Sequence, residues 1–96
     1  NYYFQMQQKN QKEAQLTIEL GEILKNQRLN NLKYSINQLA FEYDFSKSNI
    51  SKMERGLYYC KFVTLWKLSE ALGIKCSELV KILEEKLGDD FSLIDE

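Results

Sequence analysis

The strongest constraint on the fold is the stretch LAFEYDFSKSNISKMERG, which runs from Leu39 to Gly56. It holds two short amphipathic helical patterns with only a few residues between them. The second pattern offers Ile50 and Met53 to a core, and most of its other side chains are small and polar or cationic. Two short helices joined by a tight turn form a helix-turn-helix arrangement. The pattern therefore predicts this motif, with the polar face of its second helix turned outward.

The rest of the chain favours an all-α fold. Its 96 residues include no proline and four glycines, and no long stretch alternates between polar and apolar residues as a strand would. Apolar residues recur at helical spacing, so a compact bundle of five helices around one core is predicted. Asn30 and Asn31 are expected to end the first helix, Ser35 and Ser46 to cap the second and third, and Ser77 or a neighbour to begin the fifth. The predicted helices cover roughly residues 12–29, 36–43, 47–55, 62–72 and 77–87.

Both ends of the chain are interpreted separately from this bundle. Residues 1–5, NYYFQ, are similar to a protease site used to remove expression tags, so they are interpreted as a tag remnant before a native start at Met6. A native N-terminal segment is the alternative. Residues 6–88 form the predicted domain, and residues 89–96 form an acidic tail. The tail has three apolar residues that either cover the domain's own core or contact a second copy: Phe91, Leu93 and Ile94.

Charge is distributed unevenly along the chain, although the net charge is only −1. Residues 25–67 contain eight Lys and Arg against three Asp and Glu, whereas residues 68–96 contain three against eight. A basic segment around the helix-turn-helix is typical of a nucleic-acid-binding surface. The acidic final third is expected to point away from DNA, because its charge would repel the phosphates.

The composition argues against several other functions. There is no histidine, no phosphate-binding glycine loop and no recognisable pair of catalytic carboxylates, so no enzyme, catalytic residue or cofactor is predicted. Cys60 and Cys76 do not form a zinc-binding pair, and Asp89 with Asp90 lacks a third ligand, so no metal is predicted. The two cysteines are interpreted as reduced thiols of a cytoplasmic protein, with a disulfide as the alternative. No apolar run reaches the roughly 18–20 residues that would cross a membrane.

A set of short sequence pieces carries a family resemblance: Leu20-Gly21, Arg28, Tyr34-Ser35, Leu39-Ala40, Phe45-Ser46, Ile50-Ser51-Lys52, Glu54-Arg55-Gly56, Thr64-Leu65 and Glu70-Ala71-Leu72-Gly73. Through these, about two thirds of the chain resembles the Xre/Cro-type, lambda-repressor-like helix-turn-helix family. The resemblance implies a five-helix bundle that binds double-stranded DNA as a homodimer and represses transcription.

The resemblance also implies roles for individual residues. The residues expected to contact base edges in the major groove are Lys47, Ser48, Asn49, Ser51 and Lys52. The residues expected near the phosphate backbone are Arg55, Tyr58 and Lys61. Arg28 and Glu54 match a pair that bridges the first helix to the end of the third.

Three positions depart from the family pattern. Ile36 stands where a glutamine usually contacts a phosphate, so Asn37 or Gln38 is expected to replace that contact. Asp44 stands at a turn position where glycine is usual, and aspartate tolerates the left-handed conformation better than most residues. The segment from Arg28 to Ser35 is one residue longer than usual.

Three hypotheses for function follow. The first is a sequence-specific DNA-binding transcriptional regulator, acting as a repressor. The second is an antitoxin that uses the same fold and binds a toxin through its acidic C-terminal segment. The third is a protein-interaction module that has lost DNA binding. Plainer interpretations of single residues also stay open: Lys47 and Lys52 as a solvated face, Arg28 with Glu54 as a surface pair, Tyr58 and Tyr59 as loop packing, and Trp66 as a core or half-buried surface residue instead of a dimer anchor.

Overall fold

The computed structural model describes residues 2–94, with side chains from residue 11 onward. Within this part of the chain there are five α-helices and no strand, which confirms the predicted all-α bundle. The helices are α1 (Tyr2–Gln27), α2 (Ile36–Tyr43), α3 (Lys47–Glu54), α4 (Phe62–Leu72) and α5 (Cys76–Leu87).

The first helix begins at Tyr2, about ten residues before the predicted start. The prediction was wrong because it relied on apolar residues at helical spacing, and residues 7–13 are all polar. Gln, Lys, Glu and Ala are good helix formers, and neither glycine nor proline interrupts the chain before Gly21. The residues assigned to a tag remnant, apart from residue 1, which lies outside the described part, therefore continue the same helix.

A π-helical turn, Arg28–Leu32, follows α1. The backbone N–H of Lys33 donates to the carbonyl oxygen of Arg28, five residues earlier, which is the π-helical pattern. Lys33 itself ends the turn in the left-handed conformation, with φ of 57°. The expectation that Asn30 and Asn31 break the helix was wrong, because the wider turn keeps both residues helical.

The predicted caps form around the helix-turn-helix. The side chain of Ser35 accepts from the backbone N–H of Gln38, and the side chain of Gln38 accepts from the backbone N–H of Ser35, so the start of α2 is a complete capping box. Asp44 takes the left-handed conformation with φ of 58° and joins α2 to α3. Ser46 then caps α3 by accepting from the backbone N–H of Asn49. Local chemistry thus sets both ends of the turn.

The last two helices begin without a side-chain cap. Lys61 and Lys75 precede α4 and α5 in extended conformation, and neither side chain caps its helix. The fifth helix was expected to begin at Ser77 or a neighbour, and α5 starts at the preceding residue, Cys76. Gly73 ends α4 with φ of 77°, as predicted.

The core lies where all five helices meet. Its buried apolar residues from α1 to α3 are Ile23, Leu24, Leu39, Ile50 and Met53. Those from α4 and α5 are Leu65, Leu68, Ala71, Leu72, Cys76, Leu79 and Leu83. Leucine and isoleucine dominate the first group, and leucine dominates the second.

Helix α1 passes unusually close to the end of α3 at Gly21. A Cβ atom built there would lie 2.6 Å from the carbonyl oxygen of Glu54 and would also overlap that of Met53. Gly56, just after α3, approaches α1 from the other side, and a Cβ on it would lie 2.8 Å from the Cα of Ile18. Only glycine permits this contact at either position without a backbone shift, so the sequence fixes how near α3 lies to α1.

The segment after α5 returns toward α1. Phe91 and Leu93 are half-buried, and Leu93 lines a cavity with apolar residues of α1, whereas Ile94 is exposed. Leu93 thus contributes to the domain itself. No helix among the described residues is long and apolar enough to cross a membrane.

Candidate nucleic-acid interface

Helix α3 has a buried inner face and a polar outer face. Ile50 and Met53 are buried in the core and hold the inner side of the helix. Successive residues of an α-helix are about 100° apart, so Ser48, Lys52 and Arg55 project on the side opposite these two residues. All three side chains are exposed. The helix therefore offers hydrogen-bond donors to solvent while its position is set by packing.

The structure brings the five residues predicted to contact bases onto this one helix. Four of them are exposed: Lys47, Ser48, Asn49 and Lys52. Ser51 is half-buried, and its backbone carbonyl oxygen accepts from Arg55 Nε at 3.3 Å. Lys47 and Asn49 lie on the flanks of the outer face, because each is one residue from Ser48.

A buried arginine fixes the C-terminal end of α3. Arg28 Nε and one terminal nitrogen donate to the two carboxylate oxygens of Glu54 at 2.7 and 2.8 Å. The other terminal nitrogen donates to the carbonyl oxygen of Tyr34 at 2.7 Å. The hydrogen bonds to Glu54 raise the pKa of the Arg28 guanidinium above its usual range. One side chain thus joins the π-helical turn, the entry to α2 and the end of α3.

Asn37 and Gln38, expected to make the phosphate contact that Ile36 cannot make, lie at the N-terminus of α2. Asn37 and Gln38 are both exposed there. The Oε1 atom of Gln38 is occupied by the capping box, accepting from Ser35 N at 2.7 Å. Its amide nitrogen is the group that can donate outward, and an amide donor at a helix N-terminus suits an anion such as phosphate.

Tyr58 connects the loop after α3 back to the helix. Its hydroxyl donates to the carbonyl oxygen of Asn49 at 3.3 Å, and its side chain packs against the core. Burial raises the pKa of the Tyr58 phenol. This hydroxyl therefore already has a partner within the protein, whereas the side chains of Arg55 and Lys61 are exposed.

A groove of about 520 Å³ runs between α3 and the start of α4. Lys61, Thr64 and Lys67 line it from the α4 side, and Asn49 lines it from α3. Thr64 and Lys67 were not predicted from the sequence to lie beside α3, but both line this groove. The signal was present, because residues 61, 64 and 67 recur every three positions and so share one face of a helix. The groove extends the basic surface from α3 onto α4.

The two cysteines in the described residues are free thiols. Burial, with a smaller contribution from Cys76, raises the pKa of the Cys60 thiol to about 11. The thiol therefore stays protonated near neutral pH and is a poor nucleophile. No three His, Cys, Asp or Glu side chains among the described residues lie together as a metal site would require.

Comparison with known families agrees with this geometry. A family model described as helix-turn-helix matches residues 24–79, which is more than half of the chain. The matched segment contains every residue of the candidate interface, from Arg28 to Lys67. No curated protein matches the chain.

Proposed function

The chain belongs to the helix-turn-helix family of the Xre and lambda-repressor type, and from this we propose that it is a sequence-specific transcriptional repressor that binds operator DNA as a homodimer. The family is one of DNA-binding regulators. In the proposal, α3 enters the major groove, which is about 12 Å wide and admits one α-helix. Two copies would contact half-sites about 34 Å apart, one helical turn, on one side of the duplex.

The exposed outer face of α3 is the observation that carries the proposal. Lys52 and Ser48 project from a helix whose opposite side is buried. A lysine ammonium suits the O6 and N7 acceptors of guanine, and the Asn49 amide suits N6 and N7 of adenine. A solvated helix with no partner would not need the buried Arg28–Glu54 pair to hold its end in place. The arrangement supports base contacts by Lys47, Ser48, Asn49, Ser51 and Lys52.

The surfaces beside α3 would supply the phosphate contacts. Asn37 and Gln38 lie at the N-terminus of α2, and Arg55 lies at the end of α3. Lys61 and Lys67 extend the same surface along α4. Each phosphate contacted by a cation releases counterions, so affinity would fall steeply as salt rises. Tyr58 is assigned to holding the loop against α3 in addition to any phosphate contact.

The remaining assignments complete the proposal. In the proposal, residues 6–88 form the DNA-binding domain and residues 89–96 form an acidic tail that stays away from the DNA. A cytoplasmic site of action fits the free thiols of Cys60 and Cys76, because reduced cysteines are usual in a reducing compartment.

Selection from a random pool of DNA duplexes tests the proposal. The purified protein would be equilibrated with the pool at near-physiological salt, and the retained duplexes sequenced. We expect a palindromic motif with half-sites one helical turn apart. Lys67→Ala should then weaken binding to all sequences alike and lower the salt slope by about 1. Lys81→Ala, on the exposed side of α5, is the matched control. Retention without any enriched motif would contradict the proposal.

A further inference from the structure

The outer face of α4 carries an exposed apolar patch next to the proposed DNA-binding surface. Phe62, Val63 and Trp66 are 67%, 64% and 51% exposed, and we name these three residues the α4 patch. The rings of Phe62 and Trp66 contact each other edge to face, with centroids 6.1 Å apart. Such a contiguous patch often marks an interaction surface, whereas apolar residues exposed singly do not.

A groove lies at the opposite end of the same helix face. Its volume is about 470 Å³, and Trp66, Gly73, Ile74 and Cys76 contribute to its mostly apolar lining. The space beside Gly73 is open, since a Cβ atom built there would meet nothing within 4 Å apart from its chain neighbours. We name this feature the α4 groove. The helix thus has a projecting aromatic residue at one end of the face and a recess at the other, with Trp66 between them.

We propose that the α4 patch and the α4 groove together form a homodimer interface, in which two α4 helices pack antiparallel around a two-fold axis at Trp66. The inference deepens the proposed function, on which it rests for the expectation of a dimer. An interface of this symmetry must be self-complementary, because the same surface is used by both copies. A projection and a recess on opposite sides of one central residue meet this condition.

Residue spacing along α4 fits the arrangement. Phe62 precedes Trp66 by four residues and Glu70 follows it by four, which is about 6 Å in each direction along a helix. In an antiparallel pair, Phe62 of one copy therefore faces Glu70 of the other and the α4 groove beyond it. The ring of Phe62 would lose its exposed area by entering that groove.

Charge is complementary in the same arrangement. Glu70 is exposed and accepts a hydrogen bond from Trp66 Nε1 at 3.1 Å. In the antiparallel pair it comes near Lys61 of the second copy, just before the N-terminus of that copy's α4. A carboxylate is favoured at a helix N-terminus and beside a lysine. Two such pairs would form, one on each side of the axis.

The size of the patch implies a weak dimer. From side-chain areas of about 150–250 Å², the three exposed fractions give roughly 350 Å² per copy. A stable interface buries about 800 Å² per partner, so association by this surface alone should be weaker than about 1 µM. Binding of two copies to adjacent half-sites would then strengthen the pairing by raising the effective concentration.

Sedimentation equilibrium without DNA tests the interface directly. Between about 5 and 500 µM protein, a range that brackets weak association, we expect the mean mass to rise from that of one chain toward that of two. Trp66 is the only tryptophan, so its fluorescence should shift to shorter wavelength over the same range. Phe62→Ser should weaken association at least 10-fold. Phe41→Ser is the matched control, because Phe41 is 89% exposed on α2 and lies outside the patch.

A charge exchange tests the two-fold symmetry. Lys61→Glu and Glu70→Lys should each weaken self-association, because each places like charges together on both sides of the axis. An equimolar mixture of the two variants should associate more tightly than either variant alone, since both pairs are then opposite in sign. A monomer at every concentration, an equal effect of Phe62→Ser and Phe41→Ser, or no recovery in the mixture would overturn the interface. A monomer that still selects a DNA motif would leave the proposed DNA-binding function standing.

Discussion

Two ion pairs join α1 and the turn after it to neighbouring helices, and they differ in setting more than in length. Arg28 contacts Glu54 of α3 at 2.7 Å, and both side chains are 6% exposed. Lys86 of α5 contacts Glu22 of α1 at 2.8 Å, but the lysine is 38% exposed. The guanidinium makes a second hydrogen bond to the same carboxylate, whereas the ammonium divides its contacts between Glu22 and Glu19.

The comparison shows that burial, rather than distance, determines how strongly each ion pair constrains the helices it joins. If α3 moved away, the buried guanidinium of Arg28 would lose its carboxylate partner without gaining water in its place. Because an unpaired buried charge is costly, the ion pair holds α3 in one position. An exposed lysine that loses a partner is solvated again at little cost. The close approach at Gly21 lies at the same buried junction and has no counterpart at α5. The junction of α1 with α3 therefore determines where the proposed recognition helix lies.

Removing one member of the buried pair should have the largest effect. Arg28→Met keeps most of the volume but leaves the Glu54 carboxylate unpaired, and it should lower the free energy of unfolding by about 3–5 kcal/mol. Urea denaturation followed by circular dichroism would measure this change. The double variant Arg28→Met with Glu54→Met should be more stable than Arg28→Met alone, because no buried charge remains. A loss below 1 kcal/mol for Arg28→Met would show that the pair is solvated.

Adding one methyl group at Gly21 should have the next largest effect. The Cβ of Gly21→Ala would lie 2.6 Å from the Glu54 carbonyl oxygen, so α1 and α3 must move apart. Overpacking of this kind costs about 1–3 kcal/mol, and here it outweighs the gain in helix propensity. The same denaturation measurement checks it.

Ala14→Gly is a useful contrast for that variant, because Ala14 is exposed on the same helix. It should cost about 1 kcal/mol through propensity alone and should not disturb α3. DNA affinity separates the two variants further, since only Gly21→Ala should lower it among molecules that remain folded. Equal DNA affinity for both variants would mean that the close approach does not position α3.

Much of the helix-turn-helix could be predicted from interactions between residues close in the sequence, whereas the rest depends on tertiary packing. Ser35 and Ser46 each accept from a backbone N–H three residues ahead, and Asp44 takes the left-handed conformation, so these roles follow from the sequence around them. The left-handed Lys33 does not, because nothing in its side chain favours that conformation and it results from the π-helical turn before it. The hydrogen bond from Tyr58 to Asn49 likewise depends on how the loop returns to α3.

The candidate interface likewise has one part that could be predicted from the sequence and one part that could not. The residues of α3 could be assigned from the motif, because Ile50 and Met53 define its inner face and thereby its outer one. The place of Lys67 beside α3 could not, since it depends on the angle between α3 and α4. That angle follows from core packing among residues distant in the sequence, for which helical periodicity gives no information.

Substitution on the outer face of α3 should lower DNA affinity with little change in stability, unlike substitution at the buried junction. Lys52→Ala removes an exposed cation, so stability should stay within about 0.5 kcal/mol of the parent chain. Binding to the selected DNA motif should weaken about 10-fold, and discrimination at one base position should relax. Fluorescence anisotropy with matched and singly mismatched duplexes would measure both quantities. Uniform weakening on all duplexes would assign Lys52 to the phosphate backbone instead.

The exposed pair at α5 should give the smallest effect. Lys86→Met removes the contacts to Glu19 and Glu22 but leaves both carboxylates in water, so the midpoint of thermal unfolding should stay unchanged within error near neutral pH. The hydrogen bond and charge of Lys86 lower the pKa of Glu22 in the folded state. Any stability this pair adds is thus present above the unfolded-state pKa of Glu22 and is lost as pH falls through its folded-state pKa. In thermal scans across the acid range, any small difference between the two proteins should therefore disappear at low pH. A large fall in the unfolding midpoint at neutral pH would contradict the conclusion that burial determines how much each ion pair contributes.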